Sequence, residues 1–292
     1  MKGVPAKGFR MTKKRKLALS QGLPINYYDN NSLGLVNKTQ ELVQPESKFT
    51  INQRFQFVGD MVKMLADGDQ ASVIVTGPGG LGKTYNVIKS LKDSGMKDIS
   101  LAEEFEIGTR INLKKSFRII KGYSSPKGLY RLLFTNKDGV LVFDDCDSIL
   151  RDPNAVNLLK GALDSYDKRI ISWNADIRDD DLPTSFEFTG RVVVISNLSS
   201  IQMDQALLSR SMVVDISMTT QEKIDRMRYL ISDTEFMPEY TMNQKNDAVD
   251  FLESVKDKAK ELSLRSLIMT TKIRKNNPRG NWKNLADYAI CG

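Results

Sequence analysis

Histidine is absent from this 292-residue chain, and cysteine occurs only twice. Without an imidazole, every mechanism that needs a histidine base or a histidine metal ligand is excluded. Cys146 and Cys291 are far apart in the sequence and follow no metal-binding spacing, so neither a disulfide framework nor a zinc site is supported. We therefore expect a protein of a reducing, intracellular compartment.

Long apolar runs are also missing. No stretch approaches the ~20 consecutive apolar residues of a membrane-spanning helix, and the basic N-terminal region is not followed by an apolar segment of the signal-peptide type. We expect a cytoplasmic protein without membrane partners. An apolar content of 40% over 292 residues is nevertheless enough for a sizeable core.

Acidic residues are absent from residues 1–28, which carry seven lysines and arginines and therefore account for the whole net charge of +7. Such a run of bases, with scattered glycine and proline, predicts a disordered arm. With the polar linker that follows, the arm spans residues 1–48. It either contacts the phosphate backbone of nucleic acid or an acidic partner, or is a solvated tail.

Glycine is concentrated in the strongest motif, which fits the phosphate-binding pattern GxxxxGK[ST]. The motif comprises Gly77, Pro78, Gly79, Gly80, Leu81, Gly82, Lys83 and Thr84. A predicted strand precedes it, and a predicted helix begins at Tyr85. In this context backbone N–H groups and the helix N-terminus bind phosphates, Lys83 reaches the β- and γ-phosphates, and Thr84 contacts Mg²⁺. The sequence therefore predicts that residues 77–85 bind a nucleoside triphosphate with Mg²⁺.

A second motif is acidic. The apolar run 139–143 predicts a strand buried on both faces of a parallel sheet, and it ends in Asp144, Asp145, Cys146 and Asp147. Asp144 is predicted to hold Mg²⁺ through its waters. Asp145 is the candidate base that orients or deprotonates the attacking water, and Asp147 remains a second candidate.

Together with three further segments, these motifs resemble the AAA+ ATPases over residues 49–289. The glycine motif resembles Walker A, and residues 140–145 resemble Walker B. The run 191–197 is similar to the sensor-1 strand, which implies that its polar tip, Asn197, helps to place the water.

The other two segments concern arginines. Residues 206–211 resemble the segment that carries the arginine finger, and residues 262–267 resemble the lid helix that carries sensor 2. The resemblance implies that Arg210 acts on the nucleotide of a neighbouring subunit and that Arg265 reports the γ-phosphate to the lid. It also implies a homo-oligomer, with a hexameric ring as the usual form and an open spiral as the alternative.

The resemblance further implies an α/β fold. Residues 49–217 are expected to form the nucleotide-binding core, with a five-stranded parallel sheet in the order 5-1-4-3-2, and residues 218–292 a helical lid. Two segments depart from a minimal core: residues 96–116 are interpreted as an insertion, and residues 169–188 as a hairpin with an acidic tip. An acidic tip repels phosphates, so no nucleic-acid contact is expected there.

Most AAA+ members have Asp-Glu where this chain has Asp144-Asp145. The chain is similar to helicase loaders and to the ATPase partners of transposases, which also have Asp-Asp at this position and a sensor strand that ends in Ser-Asn. The expected activity is hydrolysis of ATP to ADP and phosphate.

Three functions for that activity remain open. The first is an oligomeric motor or loader that contacts DNA or RNA through the arm and the basic segment 265–283. The second is a remodeller that threads a client protein past Tyr123. The third is a scaffold whose assembly depends on ATP, with little turnover.

Overall fold

The computed structural model describes residues 47–101, 112–122, 124–173, 182–277 and 280–292. Within it, residues 49–292 form one compact unit. The predicted basic arm, Tyr123 and the acidic tip of the hairpin lie outside the described residues.

Strands and helices are mixed along the chain as far as β8, and helices follow it. The strands are β1 (Ser72–Thr76), β2 (Lys97–Asp98), β3 (Ser116–Lys121), β4 (Val140–Asp144), β5 (Ile170–Ser172), β6 (Ser185–Glu187), β7 (Arg191–Ile195) and β8 (Met212–Asp215). The α-helices are α1 (Ile51–Asp67), α2 (Lys83–Asp93), α3 (Pro126–Thr135), α4 (Asp147–Arg151), α5 (Pro153–Ala162), α6 (Gln205–Leu208), α7 (Thr220–Ile231), α8 (Met242–Ser254), α9 (Leu264–Asn276) and α10 (Trp282–Ile290). Among the described residues, none of these helices has both the length and the apolar composition to cross a bilayer.

The main sheet has the strand order β2-β3-β4-β7-β1-β8, and all its neighbouring strands are parallel. Five of these strands, numbered along the chain, lie in the order 5-1-4-3-2, as β8-β1-β7-β4-β3. The predicted order is confirmed, but the predicted count of five strands is wrong, because β2 adds a sixth strand at the edge.

The additional strand belongs to the segment 96–116 that was interpreted as an insertion. Lys97 and Asp98 pair with Ser116 and Phe117, and the N–H of Ile99 extends the ladder by donating to the Phe117 carbonyl at 3.0 Å. Lys97 and Asp98 are both exposed. Two exposed polar residues have no apolar periodicity, so the sequence pattern does not reveal this strand.

The central strands are buried on both faces, and their alternating side chains contribute to two separate apolar clusters. One cluster joins Ile74, Leu141 and Val192 to residues of α3, α4 and α5. The other joins Val73 and Val142 to residues of α1 and α2. The sheet is therefore a middle layer between two layers of helices, as expected for a parallel sheet whose strands are continuous apolar runs.

The predicted hairpin is confirmed in the form of the antiparallel pair β5 and β6, in which Ile171 lies opposite Phe186. The hairpin packs on α3. The Phe186 ring lies 5.2 Å from the ring of Tyr130 in a T-shaped arrangement, and the Tyr130 hydroxyl donates to the Pro183 carbonyl at 2.7 Å.

The helices α7 to α10 form the expected C-terminal helical region and have an apolar cluster of their own, with Met227, Val249, Leu252 and Leu267 at its centre. Helix α1 holds the start of this region. The Arg54 guanidinium donates to the Ser217 carbonyl at 2.6 Å and to a Glu222 carboxylate oxygen at 2.7 Å. The division into a core of residues 49–217 and a lid of residues 218–292 remains our proposal.

Candidate nucleotide-binding site

Three neighbouring strands end at the same edge of the sheet. The glycine motif follows β1, Asp144 ends β4, and Asn197 lies two residues beyond β7. Since β7 pairs with both β1 and β4 in parallel, the folded sheet brings together motifs that are far apart in the sequence. Ligands of open parallel sheets bind at this carboxyl edge.

The phosphate loop, residues 77–84, has a backbone that requires glycine. Gly77, Gly80 and Gly82 have φ angles of 126°, 72° and 92°, a region that side-chain-bearing residues rarely adopt. Gly82 is the N-cap residue of α2 and provides no side-chain cap. The first-turn N–H groups of α2 therefore face the loop without a capping oxygen, and this arrangement suits an anionic ligand.

Lys83 lies at the centre of this loop and is only 6% exposed. Its ammonium group donates to the carbonyl oxygens of Gly77 and Pro78 and to the Asn197 side-chain oxygen at 2.9 Å. Burial lowers the pKa of Lys83 to about 8, although nearby carboxylates, foremost that of Asp145, raise it. Two backbone oxygens and the Asn197 side-chain oxygen thus accept hydrogen bonds from the buried ammonium group.

The magnesium ligands predicted from the sequence lie together. The Thr84 hydroxyl donates to a carboxylate oxygen of the buried Asp144 at 2.8 Å. The other carboxylate oxygen lies 3.0 Å from the ammonium group of Lys121. Sequence reasoning did not identify Lys121, because only the pairing of β3 with β4 places it opposite Asp144.

These oxygen atoms fit Mg²⁺, which prefers hard oxygen ligands and keeps several waters. In the part of the chain that the structure describes, no group of three or more acidic, cysteine or histidine side chains could hold a metal.

Asp145 is exposed and follows β4 with a φ angle of 55°, a left-handed conformation that aspartate tolerates better than most residues. Its carboxylate accepts a hydrogen bond from the Asn197 side-chain nitrogen at 2.8 Å. The Asn197 amide group therefore connects Asp145 with Lys83, so the structure brings these three predicted residues together.

Asp147 contacts a different group. Its carboxylate accepts a hydrogen bond from the Ser196 hydroxyl at 2.6 Å. Cys146 lies between the two aspartates in sequence, is buried, and has a thiol that donates to the Ile120 carbonyl at 3.3 Å. Burial raises the pKa of this thiol to about 11, so it lacks the thiolate character of a nucleophile.

The helical region reaches the phosphate loop through the N-terminus of α9. The Leu264 N–H donates to the Gly80 carbonyl at 2.8 Å, and a methyl group added at Gly80 would lie 2.9 Å from the Ser263 β-carbon. Arg265, the next residue of α9, is exposed, and its charge contributes to the lowered pKa of Lys83. The predicted site residue Tyr85 lies on the first turn of α2 and is 65% exposed.

Arg210 lies away from the other predicted site residues. Its carbonyl accepts a hydrogen bond from the Ser72 hydroxyl at 3.1 Å, which places it at the amino end of β1. The phosphate loop follows the other end of that strand, and a five-residue strand separates its two ends by about 13 Å. Arg210 lines a groove of about 690 Å³ with Tyr166, Arg169 and Arg191, and its Nε lies 3.8 Å from an Asp164 carboxylate oxygen.

The chain is 27% identical, over 277 residues, to an uncharacterized 36.7 kDa protein of the nrdC-mobD intergenic region of Enterobacteria phage T4, and the alignment covers 89% of this chain and 79% of that protein. No protein-family model matches the chain.

Among solved structures, the chain is similar to PCH-2 of C. elegans, with 16% identity and a TM-score of 0.42, over 82% of this chain and 67% of that one. It is also similar to NtrX from Brucella abortus in complex with ADP, with 13% identity and a TM-score of 0.49. The latter match covers 94% of this chain and only 58% of the NtrX chain.

The fold is identified from the strand order and the arrangement of the site in this chain. The sheet order places β1 between β7 and β8, with the phosphate loop at its carboxyl end, the acidic end of β4 two strands away, and a helical region that contacts the loop. The predicted resemblance is therefore confirmed at the level of the fold: this chain has the AAA+ fold.

Proposed function

We propose that this chain is a Mg²⁺-dependent ATPase that hydrolyses ATP to ADP and phosphate. The observation that carries the proposal is the Asn197 side chain, whose amide contacts the phosphate-loop cation of Lys83 on one side and the Asp145 carboxylate on the other. A purely phosphate-binding loop needs no such connection to an exposed carboxylate.

Residues 77–85 would bind the nucleotide. Lys83 would exchange its loop carbonyls for the β- and γ-phosphate oxygens, and Arg265, on the lid helix that contacts Gly80, would bind the γ-phosphate. Thr84 and Asp144 would hold Mg²⁺, which would neutralise the negative charge of the phosphates.

Asp145 would orient or deprotonate the attacking water. It is exposed at the strand end, so water can reach its carboxylate, while the Asn197 amide group fixes the direction of one carboxylate oxygen. A base that is positioned in this way contributes typically 10²–10⁴-fold to the rate.

The test compares the binding of ATP, measured by calorimetry, with the release of phosphate. Lys83→Ala should abolish measurable ATP binding, because the charge that pairs with the phosphates is lost. Asp145→Asn should bind ATP normally and lower turnover by about 100-fold or more. Lys89→Ala is the matched control on the same helix, since Lys89 makes only a surface ion pair of 3.7 Å with Glu235. Near-normal ATP affinity in Lys83→Ala, or normal phosphate release in Asp145→Asn, would sink the assignment.

We further propose that the ATPase is an oligomeric motor or loader that associates with nucleic acid. The support is the net charge of the arm, which includes seven bases and no acid within residues 1–28. The basic segment of the lid gives this proposal less support, because its Arg274 forms an ion pair with Asp247 at 2.7 Å.

Binding of labelled single- and double-stranded DNA and RNA measures this association. The affinity should fall steeply as salt rises, and deletion of residues 1–20 should abolish it. Affinity that does not change with salt or with the deletion contradicts the proposal. The protein-remodelling alternative depends on Tyr123, which lies outside the described residues, and the scaffold alternative requires negligible turnover in the assembled protein.

A further inference from the structure

Ser196 and Asp147 form a short contact beside the site that the proposed roles do not use. Asp147 begins α4, and Ser196 follows β7. The Ser196 side chain is completely buried, and its hydroxyl donates to an Asp147 carboxylate oxygen at 2.6 Å. The distance is typical of a hydroxyl that donates to an ionised carboxylate, which is among the stronger hydrogen bonds in proteins.

The Ser196 hydroxyl makes a second bond, as an acceptor. The Leu198 N–H donates to it at 3.0 Å, while the Ser196 N–H itself donates to the Val75 carbonyl of β1 at 3.0 Å. A hydroxyl has one donor hydrogen and can accept as well, so Ser196 uses both functions. Asn197 therefore lies between two residues whose backbone positions are fixed.

The fixed backbone presents the Asn197 side chain to two partners at once. Its oxygen accepts from Lys83 at 2.9 Å, and its nitrogen donates to Asp145 at 2.8 Å. Because an amide group is planar, both contacts require one backbone position, and a shift of about 1 Å would break at least one of them.

We propose that Asp147 is a positioning residue: through the Ser196 hydroxyl it fixes the backbone at Asn197, so that the Asn197 amide group orients Asp145 toward the attacking water. The inference rests on the proposed ATP hydrolysis. It also assigns different roles to the two carboxylates that the sequence leaves as alternative bases.

Substitutions at Asp147 separate positioning from base catalysis. Asp147→Asn keeps an oxygen that accepts from Ser196, so it should retain kcat within about threefold of the wild type, whereas Asp147→Ala should lower kcat by about 10–100-fold, as removal of a supporting hydrogen-bond partner does elsewhere. The affinity for ATP should change little in either variant. Ser196→Ala removes this contact and also the acceptor of the Leu198 N–H, so it should lower kcat at least as much as Asp147→Ala. The double variant should lose no more than Ser196→Ala alone, because that substitution already removes the contact with Asp147.

Asp152→Ala is the matched control for a general loss of stability, because the Asp152 carboxylate caps α5 by accepting from the N–H groups of Asn154 and Ala155. It should lower Tm while kcat stays unchanged. If Asp147→Asn is as inactive as Asp145→Asn, Asp147 is the base and the inference is wrong. Normal kcat in Asp147→Ala also overturns it. So does a fall in kcat in Asp152→Ala that is as large as the fall in Asp147→Ala at an equal loss of Tm.

A second measurement does not depend on turnover. The side-chain amide signal of Asn197 in a ¹H–¹⁵N spectrum, assigned by its loss in Asn197→Ala, should shift in Asp147→Ala and stay in place in Asp147→Asn. An unchanged signal in Asp147→Ala contradicts the positioning role. A wild-type protein that releases no phosphate would instead refute the proposed ATPase function, while the spectrum still decides whether Asp147 positions Asn197.

Discussion

The contacts of the site converge on Asn197. Asp145, which contacts it, has a backbone conformation that is uncommon for a residue with a side chain. A left-handed φ of 55° costs free energy at a residue with a side chain. The Asp145 N–H nevertheless donates to the Ile195 carbonyl at 3.2 Å, so β7 holds this conformation in place. In this conformation the Asp145 carboxylate accepts a hydrogen bond from the Asn197 side chain.

Lys121 and Lys83 are two cations of the site that differ in burial. Lys83 is buried, and burial lowers its pKa to about 8, whereas the Lys121 side chain is 64% exposed and contacts Asp144 from the solvent side. A phosphate group near Lys83 favours the protonated form of that side chain. Nucleotide binding and full protonation of Lys83 should therefore be coupled.

Among single residues, the sequence predicts those that belong to a motif with a fixed spacing. Lys83 and Thr84 follow from the phosphate-binding pattern, and Asp144 follows from its place at the end of an apolar strand. The sequence does not predict the contact of Asp147 with Ser196, which is 49 residues away. Nor does it predict the contact of Asp144 with Lys121, which belongs to another strand. Such pairs exist only after β3, β4 and β7 are placed side by side.

Among the elements, α9 has the most direct effect on the site. Its N-cap residue is Ser263, whose side chain accepts from the Ser266 N–H, and its first N–H group bonds to the phosphate loop at Gly80. The C-terminal helical region therefore contacts the phosphate loop through backbone atoms, and the position of α9 and the shape of the loop depend on each other.

Gly80→Ala tests this attachment. The φ angle of 72° at Gly80 imposes a cost of about 1–2 kcal/mol on any L-residue, and the added methyl group would lie 2.9 Å from the Ser263 β-carbon. Gly95→Ala is the matched control, because Gly95 has a φ angle of 77° but no atom within 4 Å of the added methyl group.

We expect Gly80→Ala to destabilise the nucleotide-free chain by about 1–3 kcal/mol more than Gly95→Ala, as overpacking typically does, measured by chemical denaturation. Backbone amides of residues 264–276 should exchange hydrogen faster in Gly80→Ala alone. Equal stabilities and equal exchange in the two variants would show that α9 moves away at no cost and that the contact does not hold α9 in place.

The elements themselves were predictable where their apolar periodicity is strong. The strands of the central sheet are continuous apolar runs, and α1 shows Phe55, Val58, Val62 and Leu65 on its buried face. The short strand β2 has no such pattern, and only its hydrogen bonds with β3 define it. The order of the strands came from the resemblance and not from periodicity, because periodicity does not specify which strands are neighbours.

For the whole molecule, the site and the arginine-lined groove lie at opposite ends of β1. Asp164 and Arg210 line the groove, and the Arg210 guanidinium donates to the Ala206 carbonyl at 2.9 Å. Since about 13 Å of strand separates this arginine from the phosphate loop of its own chain, its predicted role as an arginine finger requires a second copy of the chain.

A contact between the groove of one copy and the phosphate loop of the next is head-to-tail. Contacts of this kind close into rings or continue as helical filaments, and the resemblance implies a hexameric ring or an open spiral. An arginine supplied in trans is worth about 10³–10⁵ in the rate of related phosphoryl transfers. Assembly and hydrolysis should therefore be coupled.

We predict that the activity per subunit of the wild-type chain rises with protein concentration and reaches a plateau when assembly, followed by light scattering, is complete. Arg210→Ala should bind ATP with normal affinity and hydrolyse it about 10³-fold more slowly or slower still. Arg228→Ala is the control and should turn over normally, because Arg228 makes exposed ion pairs with Asp250 and Glu253 in the C-terminal helical region.

Mixing the two inactive variants gives the most specific test of this arrangement. In a mixture of Arg210→Ala and Lys83→Ala subunits, some interfaces join the intact pocket of an Arg210→Ala subunit to the intact finger of a Lys83→Ala subunit. Only those interfaces contain a complete site, so a part of the activity should return, and it should depend on the mixing ratio. If the mixture stays inactive although the subunits co-assemble, or if activity per subunit is constant across the assembly transition, Arg210 does not act on a neighbouring nucleotide.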